Sequence, residues 1–361
     1  MKSTNNTISP WQTRPGRAAV SNLASRFEPY QREVVSDGWE LEETATVTRT
    51  EVTEEVVRKI IVRNTSPDLG FDRSLNIYRG CEHGCIYCFA RPTHAFLGLS
   101  AGLDFETKLV CRPNAADALT RELATRSYKV RPIAIGTNTD PYQPIESRYR
   151  LMAKILDVLD RHNHPVTITT KGSLIERDIK ILSRMAERNL VQVGISVTSL
   201  DLDLSRKLEP RAPAPKRRLA TIKRLCDAGI PVRVMVAPIV PGLTDHEIEK
   251  VLEQSADAGA KLASWIMLRL PGETKDLMSE WLDEHFPNKK KKIMGRLAEM
   301  HGGQLYNAEF GQRMTGEGPY SQLIGHRFKL AARSLGLNLL DRKLDCTQFL
   351  VPGRGEQYSL F

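Results

Sequence analysis

No apolar run in this 361-residue chain is long enough to span a bilayer, and its start, Met1-Lys2-Ser3-Thr4-Asn5-Asn6, lacks the apolar stretch of a secretion signal. Cysteine is scarce: six residues, of which Cys111, Cys226 and Cys346 stand singly. That count excludes a disulfide scaffold, since those are short, secreted and rich in paired cysteines. No second Cys/His pair lies at a distance from the other three cysteines, as a structural zinc site usually has. No internal repeat is evident. These absences point to a reducing cytoplasm and to no membrane partner.

The chain is long enough for one barrel-sized domain with extensions. Hydrophobic residues at 41% and charged residues at 26% are ordinary for a soluble enzyme. The net charge of +9 permits a polyanionic partner such as DNA without requiring one. The run Lys289-Lys290-Lys291-Lys292 reads as a solvated helix start.

The informative feature is Arg79-Gly80-Cys81-Glu82-His83-Gly84-Cys85-Ile86-Tyr87-Cys88-Phe89-Ala90. Three thiolates this close together can face one inorganic cluster, and cysteine is the usual ligand of iron–sulfur centres. Zinc would want a fourth ligand, and His83 lies inside the same tight loop. A cubane has four irons, so Cys81, Cys85 and Cys88 leave one iron open for chemistry.

From Leu75 onward, short apolar runs alternate with amphipathic stretches. Strands are expected at Leu75–Tyr78, Pro132–Gly136, Val166–Thr170, Val191–Val197, Val232–Ala237 and Ser264–Leu268. Between them, helices are expected at Ala115–Thr125, Ser147–Arg161, Glu176–Glu187, Arg217–Ala228 and Asp245–Ala258. Six β/α units predict an α/β fold, an incomplete (β/α)6 TIM-like barrel spanning 64–270. The N-terminal extension, 1–63, is polar and proline-punctuated, expected to be partly disordered. It has a strand-like alternation at Thr44–Thr50 and a short strand at Ile60–Val62. A helical C-terminal extension, 271–340, carries helices at Asp276–His285, Lys290–Met300 and Tyr320–Leu335, and a flexible tail covers 341–361. The glycine-rich link Phe310–Pro319 either closes the barrel's open mouth or merely connects. In parallel β/α folds ligands bind at the strands' carboxyl ends, where the cysteine loop, Gly136–Asp140, Lys171, Ser196 and Ala237-Pro238 all fall.

Cys-x3-Cys-x2-Cys with Tyr87 before the last cysteine resembles the signature of radical S-adenosylmethionine (SAM) enzymes. Gly136–Glu146, Ile168–Lys171, Leu208–Pro213 and Val236–Asp245 resemble the spore photoproduct lyase-like branch, also described as DNA-repair-photolyase-like. The resemblance runs from about Asn64 to about Leu270, and more weakly to Leu337. It implies the same partial barrel and a [4Fe-4S] cluster whose open iron is chelated by SAM. It also implies a flavodoxin- or ferredoxin-like electron donor, and a 5′-deoxyadenosyl radical that abstracts hydrogen from substrate. Carried over by position, Thr137, Asn138 and Thr139 meet the SAM ammonium, with Asp140 as an anionic alternative. Lys171 meets the carboxylate, Ser196 the carboxylate or ribose, Ala237 the adenine edge, and Tyr87 packs on adenine. Arg211 and Arg218 are candidates for carboxylates but read more simply as solvated, and Glu146 reads as a helix-start residue.

The chain departs from the branch pattern at Ile77, where proline is common, at Phe89, where tyrosine is frequent, and at Gly172, where serine is frequent. The missing phenol weakens transfer of the branch's tyrosine–cysteine radical relay. Cys111 is a candidate hydrogen donor, with a buried inert thiol as the simpler reading. The ending Gln357-Tyr358-Ser359-Leu360-Phe361 resembles the peptide by which bacterial repair proteins dock on the sliding clamp, through Gln357, Leu360 and Phe361. The expectation is a radical SAM enzyme acting on a substrate that the sequence does not identify, with damaged DNA as one hypothesis. Radical modification of RNA, protein or a small metabolite, and a non-catalytic cluster-bearing sensor, are the alternatives.

Overall fold

The computed structural model describes residues 16–23, 26–27, 49–339 and 343–353. Its strands are β1 (Glu51–Glu54), β2 (Ile61–Arg63), β3 (Arg73–Leu75), β4 (Tyr78–Arg79), β5 (Lys108–Cys111), β6 (Ile133–Ile135), β7 (Val166–Thr170), β8 (Val191–Ser196), β9 (Val232–Ile239) and β10 (Leu262–Met267). Its helices are α1 (Leu103–Thr107), α2 (Ala115–Leu123), α3 (Glu146–Tyr149), α4 (Leu151–Arg161), α5 (Ile179–Glu187), α6 (Leu202–Leu208), α7 (Pro215–Asp227), α8 (Ile248–Asp257), α9 (Thr274–His285), α10 (Pro287–Met300) and α11 (Gly318–Ser334).

Strands β3, β6, β7, β8, β9 and β10 pair in chain order and all in parallel, while β2 adds antiparallel at the β3 edge. This is the expected six-unit partial barrel, with β10 and β2 as its two edges. Parallel strands covered on both faces read as nearly continuous apolar runs, and β8 is buried at Val191, Val193, Gly194, Ile195 and Ser196. On the outside, α4 buries Leu151, Met152, Ile155, Leu156 and Leu159, the three- and four-residue spacing of one helix face. Among the described residues no helix is long and apolar enough to cross a membrane.

Several boundaries differ from expectation for identifiable reasons. The strand expected over Leu75–Tyr78 is split. Its first part ends in the barrel at Leu75, and Tyr78–Arg79 pairs with β5 in a separate sheet of order β1-β5-β4. Asn76 turns the chain aside, because its side chain is spent on the β6 loop and its carbonyl accepts from Arg112 Nη1 at 3.0 Å. The helix expected over Ser147–Arg161 breaks at Arg150, which adopts a left-handed conformation (φ 51°). Buried Glu146 reaches past the break to accept from the backbone N–H of Leu151 and Met152, both at 3.0 Å. Glu146 therefore starts helix α3, as expected, and its carboxylate also caps the following helix, α4. The N-terminal extension is not wholly loose: Ala18 and Ala19 are buried and donate their N–H groups to the Glu106 carboxylate. Thr44–Thr48 lies outside the described residues.

The C-terminal extension closes the barrel's open side. Met267 in edge strand β10 donates its N–H to Met314 O at 2.8 Å, and Ala263 donates to Asn338 Oδ1 at 2.8 Å. One residue before Met314, Arg313 forms a two-bond ion pair with Asp68 (2.6 and 2.7 Å), in the loop joining β2 to β3. The glycine-rich link thus ties the last strand to the first, so it does more than connect. Part of the tail expected to be flexible is anchored too. Phe349 packs on Tyr128 and His164, and Leu350 N–H donates to His162 O at 2.9 Å. Gln357, Leu360 and Phe361 lie outside the described residues.

Candidate active site

The cysteine loop is held in shape by groups that fill it. Gly80 has φ +76°, and a Cβ there would come within 2.6 Å of Leu109 Cδ2 and 2.9 Å of Phe105 O, so only glycine fits. Arg91, fully buried, spends its guanidinium on the carbonyls of Gly84, Cys85, Ala101 and Gly102 (2.9–3.0 Å) and on Glu106 Oε1 at 2.5 Å. A guanidinium has five N–H donors, and these five contacts use all of them. Gln143 completes the clamp, accepting from Glu82 N–H at 2.8 Å and donating to Gly80 O at 3.3 Å.

All eleven residues assigned above to the cluster or to SAM line one cavity. Cys81, Cys85, Cys88 and Tyr87 come from the first loop and Thr137, Asn138, Thr139 and Asp140 from the loop after β6. Lys171, Ser196 and Ala237 come from the ends or exits of β7, β8 and β9. The cavity and its mouth enclose about 910 Å³ of non-protein space, counted out to open solvent. Cys111 does not line it. That thiol is buried in β5, which pairs with β1 and β4 away from the barrel, so the reading as an inert core cysteine replaces the hydrogen-donor one.

The polar groups divide into those that build the wall and those that face the cavity. Thr139 donates its hydroxyl to Gly80 O at 2.6 Å, tying the second loop to the first. The Asp140 carboxylate accepts from the N–H groups of Tyr142 and Lys171 (2.9 and 2.7 Å) and from the Thr170 hydroxyl (2.5 Å), and it pairs with His83 at 3.3 Å. Burial opposes its ionisation, but His83 and these donors win and bring its pKa down to about 2. Those four partners fill the acceptor sites of a carboxylate, so Asp140 fixes its own loop instead of offering a free anion.

Behind the wall sits a buried ionic network. Glu209 accepts from Arg218, from the Tyr87 hydroxyl and from Thr198 Oγ1, and lies 4.0 Å from Lys171 Nζ. Burial raises the Glu209 pKa, yet Arg218 and Lys171 outweigh it and hold the group at about 2. Arg218 is buried, with further bonds to Pro213 O and Ser196 O, which corrects its reading as solvated. Arg211 pairs with Glu82 at 3.2 Å outside the cavity. The Lys171 ammonium stands 5.7 Å from the Tyr87 ring centre, so the ring and the charge form one surface. At the opposite wall, Arg269 lies over Phe89 (4.8 Å) and near Tyr306 (5.8 Å), and its buried Nε has no partner among the described residues.

Three thiols lining one cavity are the donor type that suits an iron–sulfur cluster. Burial, then nearby Asp140, raises the Cys81 thiol pKa, and burial takes Cys85 to about 12. Gly172 has a steric reason in this chain: a Cβ there would lie 2.4 Å from Tyr142 O, so serine does not fit.

Sequence reasoning missed Asn76, Arg91, Glu209 and Arg269. The Asn76 amide oxygen accepts from Asn138 N–H at 3.1 Å, and its NH2 donates to Thr137 Oγ1 at 3.4 Å. The usable signals were proximity: Asn76 precedes the cysteines, and Arg91 follows Cys88 by three residues.

Comparison with known proteins agrees with this geometry. The model of the Radical SAM superfamily matches residues 75–254, from the end of the first barrel strand into α8. The uncharacterised protein Rv2578c of Mycobacterium tuberculosis (strain ATCC 25618 / H37Rv) is 40% identical over 235 residues, 64% of this chain and 68% of that one. The uncharacterised protein MJ0683 of Methanocaldococcus jannaschii is 27% identical over 173 residues, 48% of this chain and 62% of that one. Among solved structures, spore photoproduct lyase complexed with dinucleoside spore photoproduct superimposes with a TM-score of 0.57 at 14% identity, covering 79% of this chain and 80% of that one. A mutant of that lyase with bound AdoMet and the same dinucleoside gives 0.57 at 15% identity over the same shares. At these identities the likeness is one of fold. With the cysteine loop and four further strand ends inside the matched region, the chain belongs to the radical SAM superfamily.

Proposed function

We propose that Cys81, Cys85 and Cys88 hold a [4Fe-4S] cluster and that the adjoining wall binds SAM. The observation that carries this is the convergence of the three thiols with Lys171, Ser196, Ala237 and Tyr87 in one cavity. A cluster held by Cys81, Cys85 and Cys88 would supply the electron for reductive cleavage of SAM, the source of a radical able to take hydrogen from a substrate. The chain's own residues bind and orient. Lys171 presents positive charge to a carboxylate, and Ser196 presents a hydroxyl beside it. Thr137 and Asn138 line the wall on the ammonium side, while Thr139 and Asp140 keep that loop in place.

For the substrate, damaged DNA is the reading favoured by the far wall. Phe89 and Tyr306 flank Arg269, whose unpartnered Nε is a donor for a base or phosphate oxygen. Arginine among aromatic rings suits an unstacked base. The test is anaerobic reconstitution with iron and sulfide, then SAM and dithionite, with specifically deuterated, ultraviolet-irradiated DNA. The expected result is 5′-deoxyadenosine carrying deuterium. No 5′-deoxyadenosine from fully iron-loaded protein would overturn the enzyme reading in favour of a sensor. Label arriving only from RNA, a protein or a metabolite would overturn the DNA reading.

A further inference from the structure

Among the described residues the exposed phenylalanines are Phe27, Phe89, Phe96 and Phe310, and each has an arginine guanidinium 4.8–5.5 Å from its ring centre. Arg313, over Phe310, is neutralised by Asp68. The other three rings are linked by contact. Phe27 and Phe96, 57% and 67% exposed, stand 5.4 Å apart with Arg26 over both. Phe96 belongs to the short helix Arg91–Leu97 that follows the cysteine loop, and Arg26 Nη2 donates to Pro92 O in that helix at 3.4 Å. Gly272 completes the join: a Cβ there would lie 3.3 Å from the Pro92 ring and 3.6 Å from Arg26 Nη1. Arg269, which lies over Phe89 at the cavity wall, precedes Gly272 by three residues. The loop that reaches the cavity with Arg269 therefore also touches Arg26, at most ~11 Å of chain away.

Single exposed apolar side chains are ordinary, but two bare rings in contact beside a ligand cavity form a surface to be covered. Neither neighbouring guanidinium is used up. Arg26 meets the Glu273 carboxylate only at 3.8 Å, beyond hydrogen-bonding distance, and Arg269 keeps its unpartnered Nε. Flat rings interleaved with cations suit a chain in which flat rings alternate with anions. An unpaired nucleic-acid strand is such a chain: every base offers a π-face, and a phosphate follows each base. A duplex hides its base faces in its own stack and cannot use the same surface.

We propose that Phe27, Phe96 and Arg26 form a stacking platform beside the cavity mouth, which holds unpaired nucleotides next to the one entering the cavity. The substrate is accordingly taken as a single strand. The inference rests on the DNA reading above and adds to it the state of the strand and a binding surface outside the cavity. The platform binds without covalent chemistry and takes no part in the radical step.

The test measures fluorescence anisotropy of a labelled ~12-nucleotide oligothymidylate, alone and as its duplex, with the iron-loaded full-length protein over a range of salt. The single strand is expected to bind more tightly than the duplex. Phe96→Ala should weaken strand binding ~10-fold, the loss of one stacked base, with its salt dependence unchanged. Phe96→Tyr keeps the ring and should keep wild-type affinity. Arg26→Gln should lower the salt slope by about one phosphate contact. Dithionite-driven SAM cleavage without DNA should stay at the wild-type rate in all three variants. Wild-type strand affinity in Phe96→Ala, or tighter binding of the duplex, would overturn the proposal. So would loss of binding to anionic phospholipid vesicles in Phe96→Ala with oligonucleotide binding retained. If strand binding depends on Phe96 but irradiated DNA transfers no deuterium, the substrate reading fails and the platform stands. If irradiated DNA reacts in Phe96→Ala with the wild-type KM, the substrate reading stands and the platform falls.

Discussion

The Arg313–Asp68 pair should control whether the barrel's open side stays shut, and Asp68→Asn tests it. The pair is two-bonded, with side-chain exposures of 16% and 10%, so solvent screens it little. Asparagine keeps the shape and one acceptor but removes the charge. Charge-assisted bonds of this type contribute ~1.5–3 kcal/mol, and every ~1.4 kcal/mol is tenfold in an equilibrium. Local opening of the 310–316 segment should therefore rise ~10–100-fold, since closure is a sub-global equilibrium separate from unfolding. The readout is amide exchange at Met267, whose N–H donates to Met314 O. Its neighbour Leu268 is the internal control, because its N–H donates to Ile239 O within the barrel. Met267 should accelerate while Leu268 holds still. Equal rates at Met267 in wild type and variant would refute the reasoning. Equal acceleration of both amides would show global loosening instead. Because Arg269 Nη1 reaches Met314 sulfur at 3.1 Å, the same opening should also loosen the cavity's far wall.

Replacing Cys81, Cys85 and Cys88 together by alanine should abolish bound iron and the brown colour while leaving the far-ultraviolet circular dichroism unchanged. Lys171→Gln should weaken SAM binding to the iron-loaded protein by ~10–100-fold, from the ~1.5–3 kcal/mol of a charged hydrogen bond, measured by equilibrium dialysis. Glu209→Gln should lower the urea midpoint by an amount equivalent to ~3 kcal/mol or more, since it strands the buried Arg218 charge. His164 is buried, and burial, with Arg73 and His162 nearby, lowers its pKa to about 4 from 6.5, against Pro165 O, which raises it. The unfolded chain therefore binds the extra proton between those values. Stability is full above pH 6.5 and falls toward pH 4, by ~2 kcal/mol between pH 7 and pH 5. His164→Gln should remove that part of the pH dependence of the urea midpoint, and identical curves would count against it.

The parallel core was legible because each strand is a short apolar run between amphipathic helices, a signal carried by neighbours in the chain. The meeting of the three cysteines in one cavity was legible for the same reason: residues of one loop need no tertiary information to come together. What could not be read was where a polar group spends itself. Asp140 looks like a free anion at a strand end, and only folding brings His83 and Lys171 N–H onto it. Arg218 lies in a basic stretch and reads as solvated until Glu209, nine residues earlier, folds under it. Arg313 and Asp68 are 245 residues apart, and no local pattern connects them.

Those hidden partners decide which charges remain available to a ligand. Arg91 is matched by Glu106 and Arg218 by Glu209, both in direct contact and both pairs buried. They rigidify the walls and have no charge left over. Lys171 differs: its carboxylate neighbour stands at 4.0 Å and is already bonded to Arg218 and Tyr87. Its burial lowers its pKa, but Cys85 and Glu209 more than restore it, so the ammonium stays charged. In a low-dielectric cavity an incompletely matched cation is the strongest attractor for an incoming carboxylate. Arg269, at the other wall with an unused Nε, is the next. A ligand with a carboxylate at one end and a second, oxygen-rich molecule beyond it would satisfy both. Lys171 follows β7 and Arg269 follows β10, so the two cations reach the same cavity from different strands and could serve two different ligands.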